Sequence, residues 1–351
     1  MNLGFWSHFT KPILCLAPMA DVTDVAFRHI ISKYSNIPHI TYTEFVSADG
    51  LVRAPEEGRK KLLKDLEYSE IERPIVAQFF SGKPEMMEAA ARLAVELGFD
   101  GVDINMGCPD KSIEKQGAGA ALMKTPNLAR EIITAAKIGA GNLPVSVKTR
   151  LGYNKDELET WLPELLAESP AAITLHARTR KEMSKVPARW GRIKDAVLIR
   201  DQLKQRSLQS TDIFLLENSS YSAQSASQAS SDYIASASTL IIGNGDVRDL
   251  QHAYELAEET GCDGVMLGRA IFGNPFLFSG RTPSPEEKLK VLIEHTKLFE
   301  EKLGGVKSFA IMKKHFKAYL SSIPNTHDLR LALMETESAR EVEEIINKFY
   351  N

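Results

Sequence analysis

Cys108 lies in Asn105-Met106-Gly107-Cys108-Pro109, immediately after an apolar run that starts at Gly101. A thiol with an ordinary pKa of about 8.5 stays mostly protonated near neutral pH, so a reachable cysteine is a stored proton for general acid work. A lone cysteine beside a strand end is ordinarily a packing residue. Cationic side chains close other apolar runs, at Lys148, in His176-Ala177-Arg178 and in Gly268-Arg269. An ammonium at the end of an apolar strand calls for an anionic partner. Glycine turns at Gly243-Asn244-Gly245-Asp246 and at Gly268 let backbone amides approach an anion, with Arg269 adding a charge-assisted fork. Together these residues point to proton donation from Cys108, with negative charge stabilised by Lys148 or Arg178. His176 reads either as a ligand-facing side chain or as a satisfied structural histidine.

Such groups need a scaffold that brings many strand ends to one place. Short apolar runs alternate with helical patterns at Ile13–Pro18, His39–Glu44, Pro74–Phe79, Gly101–Asn105, Val145–Lys148, Ala172–His176, Thr239–Gly243 and Gly264–Gly268. Between them stand helix starts such as Thr125-Pro126 and Lys83-Pro84-Glu85. Strand, helix, strand at this spacing means parallel pairing with crossovers. Eight units favour a closed (β/α)8 barrel over an open sheet, with the site at the carboxyl ends of the strands. Those ends carry Pro18-Met19-Ala20, Glu44, Gln78, Asn105, Cys108, Lys148, His176, Asn244-Gly245-Asp246 and Gly268-Arg269. Two glycine loops after the last two strands match the usual phosphate position of such a barrel.

A Ser/Ala/Gln-rich insertion over about 205–238 breaks the rhythm and reads as a surface excursion. Within it, Ile213–Asn218 is an alternative ninth strand. After the eighth strand, Ser284-Pro285-Glu286-Glu287 signals a helix, and amphipathic patterns continue to the end of the chain. The predicted organisation is a barrel over 1–282 and an all-helical domain over 283–351. Lys302, Lys307, Lys313, Lys314 and Lys317 follow one another without an acid after Glu301. By itself that is a solvated helix face; on a domain appended to a barrel mouth it is also a grip for a phosphate backbone.

The bulk numbers narrow the classes. Hydrophobic residues at 43% and charged residues at 25% describe an ordinary globular chain, and a net charge of −3 excludes a uniformly basic coat. No apolar run approaches the roughly 18 residues of a membrane span. The first residues resemble no signal peptide, and three scattered cysteines form neither a disulfide framework nor a zinc site, so the expected setting is the cytoplasm. Cys15 and Cys262 read as core thiols.

Six ordered segments resemble the tRNA-dihydrouridine synthases, chiefly the bacterial branch. They are Ala17-Pro18-Met19-Ala20-Asp21-Val22-Thr23-Asp24 with Phe27-Arg28; Asn105-Met106-Gly107-Cys108-Pro109 with Gly117-Ala118-Gly119-Ala120-Ala121-Leu122; Val147-Lys148-Thr149-Arg150-Leu151-Gly152; His176-Ala177-Arg178-Thr179-Arg180; Gly243-Asn244-Gly245-Asp246; and Gly268-Arg269-Ala270. The stretch from Met312-Lys313-Lys314-His315-Phe316 to Tyr319-Leu320 extends the similarity to the helical domain. The resemblance implies FMN, with Pro18, Met19 and Ala20 along the flavin ring, Gln78 and Lys148 at its polar edge and His176 against ring or phosphate. Asn244, Gly245, Asp246, Gly268 and Arg269 would hold the phosphate end. It further implies NADPH as reductant, Cys108 as proton donor, and tRNA as partner of Asn105, Arg178, Lys313, Lys314 and Lys317. A monomer without metal is expected. A different FMN barrel oxidoreductase, of the dihydroorotate dehydrogenase kind, and an RNA-binding protein without catalysis remain as alternatives.

Overall fold

In the computed structural model, which describes residues 2–217, 239–321 and 323–350, nine strands form one parallel sheet that curls into a barrel. They are β1 (Ile13–Leu16), β2 (Thr41–Tyr42), β3 (Val46–Ser47), β4 (Ile75–Phe80), β5 (Gly101–Asn105), β6 (Val145–Arg150), β7 (Ala172–His176), β8 (Leu240–Asn244) and β9 (Gly264–Leu267). The order is β1-β9-β8-β7-β6-β5-β4-β2, and β3 also pairs with β4. A parallel bridge between Cys15 and Ile40 brings the first strand back to the second. Thr41 registers with Ile75 and Val46 with Phe79, so β2 and β3 share one stave and the barrel has eight.

The strands are apolar because both faces are covered, by side chains inside and helices outside. Every residue of β1, β4, β5, β8 and β9 is buried. The helices Pro84–Glu96 and Pro126–Ala140 begin on proline, where the missing N–H costs nothing. Cys15 and Cys262 are buried thiols within this core.

Two expectations are corrected. The second stave does not end at Glu44; it breaks there and resumes at Val46. The run from Ile213 is not a strand, since one helix spans Trp190–Glu217. A short apolar run fits a strand or a helix equally well, and here the preceding helix continues through it. The rest of the Ser-rich insertion, 218–238, lies outside the described residues.

The C-terminal helices are Pro285–Leu303, Met312–Leu320, His327–Met334 and Ala339–Tyr350. The first opens on the anticipated capping box: Ser284 Oγ accepts from Glu287 N at 3.1 Å and Glu287 Oε2 accepts from Ser284 N at 2.8 Å. Their core, with Leu289, Leu292, Phe299, Phe316 and Tyr319, includes Val25, Ala26 and Ile30 from the barrel helix Val25–Lys33. The helical region is therefore packed onto the barrel's flank near β1. Lys307 adds an ionic link, 2.6 Å from Glu44 and 2.8 Å from Asp65. Among the described residues no helix is long and apolar enough to cross a membrane.

Candidate active site at the barrel mouth

A cavity of about 710 Å3 opens at the carboxyl ends of the strands, lined by Pro18, Met19, Lys148, His176, Arg178, Asn244, Gly245, Asp246, Gly268 and Arg269. The strand-end logic thus brings these ten expected residues together. Ala20 is exposed and stands outside the lining. Gln78, Asn105 and Cys108 also stand outside the lining: Gln78 and Asn105 are buried and Cys108 is half-buried.

Charge is the cavity's main property. Lys148, Arg150, Arg178, Arg248 and Arg269 face one carboxylate, Asp246. Asp246 is shared: one oxygen takes Arg178 and the amide of Ala188, the other takes Arg269 at 2.6 Å. Those guanidinium groups hold its carboxyl below the usual range. Among the described residues Lys148 has no carboxylate at ion-pair distance; its ammonium donates to Asn244 Oδ1 at 3.4 Å. Burial and the neighbouring Arg150 bring the Lys148 ammonium down to about 8. A cation held this way stabilises an incoming anion that relieves its isolation.

Backbone geometry supports that surface. Gly245 has φ of 125°, and a Cβ there would meet Ala188 Cβ at 2.8 Å and the His176 ring at 3.2 Å, so only glycine fits. The indole of Trp190 donates to Gly245 O at 2.7 Å, fixing the turn from behind. His176 Nε2 lies 3.0 Å from an Arg178 nitrogen. Guanidinium groups only donate, so this imidazole accepts and is neutral, with its proton on Nδ1. Burial and the surrounding cations push its pKa far down, in agreement. The helix that follows this loop, Leu250–Thr260, is capped by Asp249, which accepts from His252 N. After β9 only a short 3-10 turn, Arg269–Ile271, follows. An anion held at this mouth would therefore meet side-chain cations and loop amides rather than a free helix terminus.

The Cys108 loop is held from three sides. Asn105 Oδ1 accepts from Gly107 N at 3.1 Å and from Cys108 N at 2.9 Å. Cys108 O accepts from Ala120 N at 3.0 Å, and Gly107 O accepts from Arg150 Nε at 2.7 Å. Burial pushes the Cys108 thiol up, so it stays protonated at neutral pH.

Sequence reasoning passed over Arg150 and Arg248, which line the cavity. The signal for Arg150 was present: two residues beyond Lys148 on one strand, it shares that residue's face. Of the lysine-rich stretch, Lys314 and Lys317 are exposed and Lys313 is partly so; Lys314 lies 4.0 Å from Asp21. Lys302 pairs with Glu301. Lys307 does not belong to a free face, because it is half-buried between Glu44 and Asp65.

Comparison with known proteins gives a single picture. A family profile described as "Dihydrouridine synthase (Dus)" matches residues 15–204 and 220–350. A Staphylococcus aureus protein named "Probable tRNA-dihydrouridine synthase" is 36% identical over 99% of this chain and 96% of its own length. A Bacillus subtilis protein named "Probable tRNA-dihydrouridine synthase 2" is also 36% identical, over 99% of this chain and 97% of its own. Among solved structures, histamine dehydrogenase from Rhizobium sp. 4-9 superposes with a TM-score of 0.49 at 12% identity, covering 85% of this chain and 50% of that one, a likeness too loose to bear on function.

Proposed function

This chain belongs to the dihydrouridine synthase family, and from that premise we propose that it reduces uridine in tRNA with FMN as bound cofactor, NADPH as reductant and Cys108 as proton donor. The observation that carries this reading is the pairing of a cation-rich mouth with a protonated thiol beside it. The residues present fit FMN. Arg178, Arg269 and the Gly245 loop suit its phosphate, and Lys148, with no carboxylate at ion-pair distance among the described residues, suits the polar edge of an isoalloxazine. Pro18, Met19 and Gly268 supply an apolar and open wall, since a Cβ at Gly268 would touch nothing nearer than 3.6 Å.

When bound and reduced, FMN supplies a hydride for C6 of the uracil ring. The remaining work falls to the chain. Negative charge then gathers on C5 and O4 of the base, and Cys108 Sγ–H gives its proton to C5. Lys148 and Arg178 stabilise anionic charge in a cavity partly screened from water. Neutral His176 offers Nδ1–H as a donor without adding a sixth cation. Asn105 holds the Cys108 loop and borders the base. The helical domain 283–351, through Lys313, Lys314 and Lys317, grips tRNA phosphates, and the protein works as a cytoplasmic monomer.

The test is the purified protein itself. It is expected to carry a flavin absorption spectrum and, with NADPH, to form dihydrouridine in unmodified tRNA but not in free uridine. Protein that stays colourless when offered FMN would overturn the reading.

A further inference from the structure

On β4, β5 and β6 four polar side chains form a buried line that ends on the Cys108 loop. Ser146 Oγ donates to Asp103 Oδ1 at 2.5 Å, and Gln78 Nε2 donates to Asp103 Oδ2 at 2.6 Å. Asn105 Nδ2 donates to Gln78 Oε1 at 3.1 Å. Asn105 Oδ1 then accepts from the amides of Gly107 and Cys108. Asp103 and Gln78 have no solvent exposure, and Asn105 has 6%.

An amide side chain presents a donor at one end and an acceptor at the other, so a line of two amides has a direction. At the loop end that direction is forced, since backbone N–H groups need an acceptor and Asn105 must show them its oxygen. Its nitrogen must then face Gln78, which must answer with oxygen and turn its own nitrogen inward. The inner end is a carboxylate, which only accepts. We propose that Asp103 is a positioning residue for Cys108, fixing the direction of the Gln78 and Asn105 amides and through them the loop that carries the thiol.

Both ends impose the same direction: reversing Asn105 sets its nitrogen against the loop amides, and reversing Gln78 sets donor against donor at Asn105 and acceptor against acceptor at Asp103. That costs a hydrogen bond at a site where water cannot replace it. Burial raises the Asp103 carboxyl to about 6, while Ser146, Gln78 and Lys148 pull it down, so it is ionised at neutral pH. Cys15 and Tyr42, the titratable groups facing it from β1 and β2, are both pushed upward by burial and stay neutral there. Gln78 retains one N–H for a cofactor, so a role at the flavin edge and a role in this line are compatible.

The functional meaning rests on the proposed role of Cys108, but the geometry can be tested without it. Gln78→Glu sets an acceptor against the acceptor of Asp103 once both carboxyls are ionised; because such a pair shares a proton near neutral pH, the alkylation below is read at about pH 9, where the line is broken. Adding Asp103→Asn offers the introduced carboxylate at position 78 a donor again. That carboxylate then accepts from the new amide on one side and from Asn105 on the other, restoring the direction toward the loop. Alkylation of Cys108 by iodoacetamide, followed by mass spectrometry on full-length protein without tRNA, reads the loop directly, with flavin content measured in the same samples. The expected result is a rate about tenfold higher in Gln78→Glu and within about twofold of wild type in the double variant. If Gln78→Glu does not fold, a folded double variant with near wild-type alkylation is the same rescue. A double variant no better than the single one, or loss of fold in both, overturns the proposal. If the alkylation rescue holds but wild-type protein makes no dihydrouridine, the positioning role stands and the proposed activity falls instead.

Discussion

Lys148 and Cys108 are two ionisable groups that one environment tunes for different work. Burial disfavours the charged form of each, which keeps the thiol protonated and makes the ammonium easier to discharge. The consequence for pH can be signed. Below about 8 Lys148 is charged and attracts an anion; above about 8 it is neutral. FMN affinity is therefore expected to fall between pH 7 and pH 9, and Lys148→Gln is expected to bind more weakly at pH 7 with little further loss at pH 9. Fluorescence titration of flavin-stripped protein checks this, and a flat wild-type profile would contradict it. Folding responds in the opposite sense. With a native pKa below the unfolded value of about 10.4, the native state binds fewer protons in that interval, so ligand-free stability rises as pH climbs through it. Which cationic and glycine residues would gather at the barrel mouth was largely readable from the chain, because polar groups at the ends of apolar runs are costly unless they face a surface. Their partners were not. Nothing in one dimension tells that Asp246 bridges Arg178 and Arg269, or that Asp103 faces Gln78 across two strands.

At the scale of elements, the loops after β8 and β9 are shaped as much by what lies behind them as by their own residues. Gly245 carries a φ of 125° with Ala188 and His176 pressed against its missing side chain. Gly245→Ala is expected to cost roughly 2 kcal/mol of stability and to weaken FMN binding, measured by urea unfolding and flavin titration. A variant equal to wild type in both would show that the turn has slack the structure does not contain. The glycine was legible as a turn, but its reason was not, since Ala188 and Trp190 come from the segment after β7. Strand positions were legible for a simple cause: strands covered on both faces leave unbroken apolar runs. Where that cause fails, so does the reading. Glu44 looked like a strand end because a carboxylate in a barrel wall is unexpected, yet it is held there by Lys307 and by the amide of Asp21 at 2.5 Å. Arg28 is a similar case; its full burial is explained by Glu72 at 2.7 Å and the carbonyls of Thr23 and Glu67.

Across the whole molecule, the helical region and the barrel share a core through the helix Val25–Lys33 and an ion cluster at Lys307. The lysines that looked alike in sequence now divide into two kinds. Lys307→Met leaves Glu44 buried without its cation and is expected to destabilise the fold by about 3 kcal/mol. Lys313→Glu with Lys317→Glu is expected to leave stability and flavin content unchanged, to weaken tRNA binding and to flatten its dependence on salt. Unfolding curves and binding isotherms at two salt concentrations separate the cases; unaltered tRNA affinity in the double variant would remove these lysines from the interface.

The central claim is that Cys108 protonates a uracil ring reduced at this mouth. The most direct measurement is dihydrouridine formed in unmodified tRNA by wild type and by Cys108→Ala, with NADPH present and flavin content matched, read by nucleoside mass spectrometry. Wild type is expected to add two hydrogens at uridine, and Cys108→Ala to bind FMN normally while losing at least about a hundredfold in rate. Equal rates in the two proteins would contradict it.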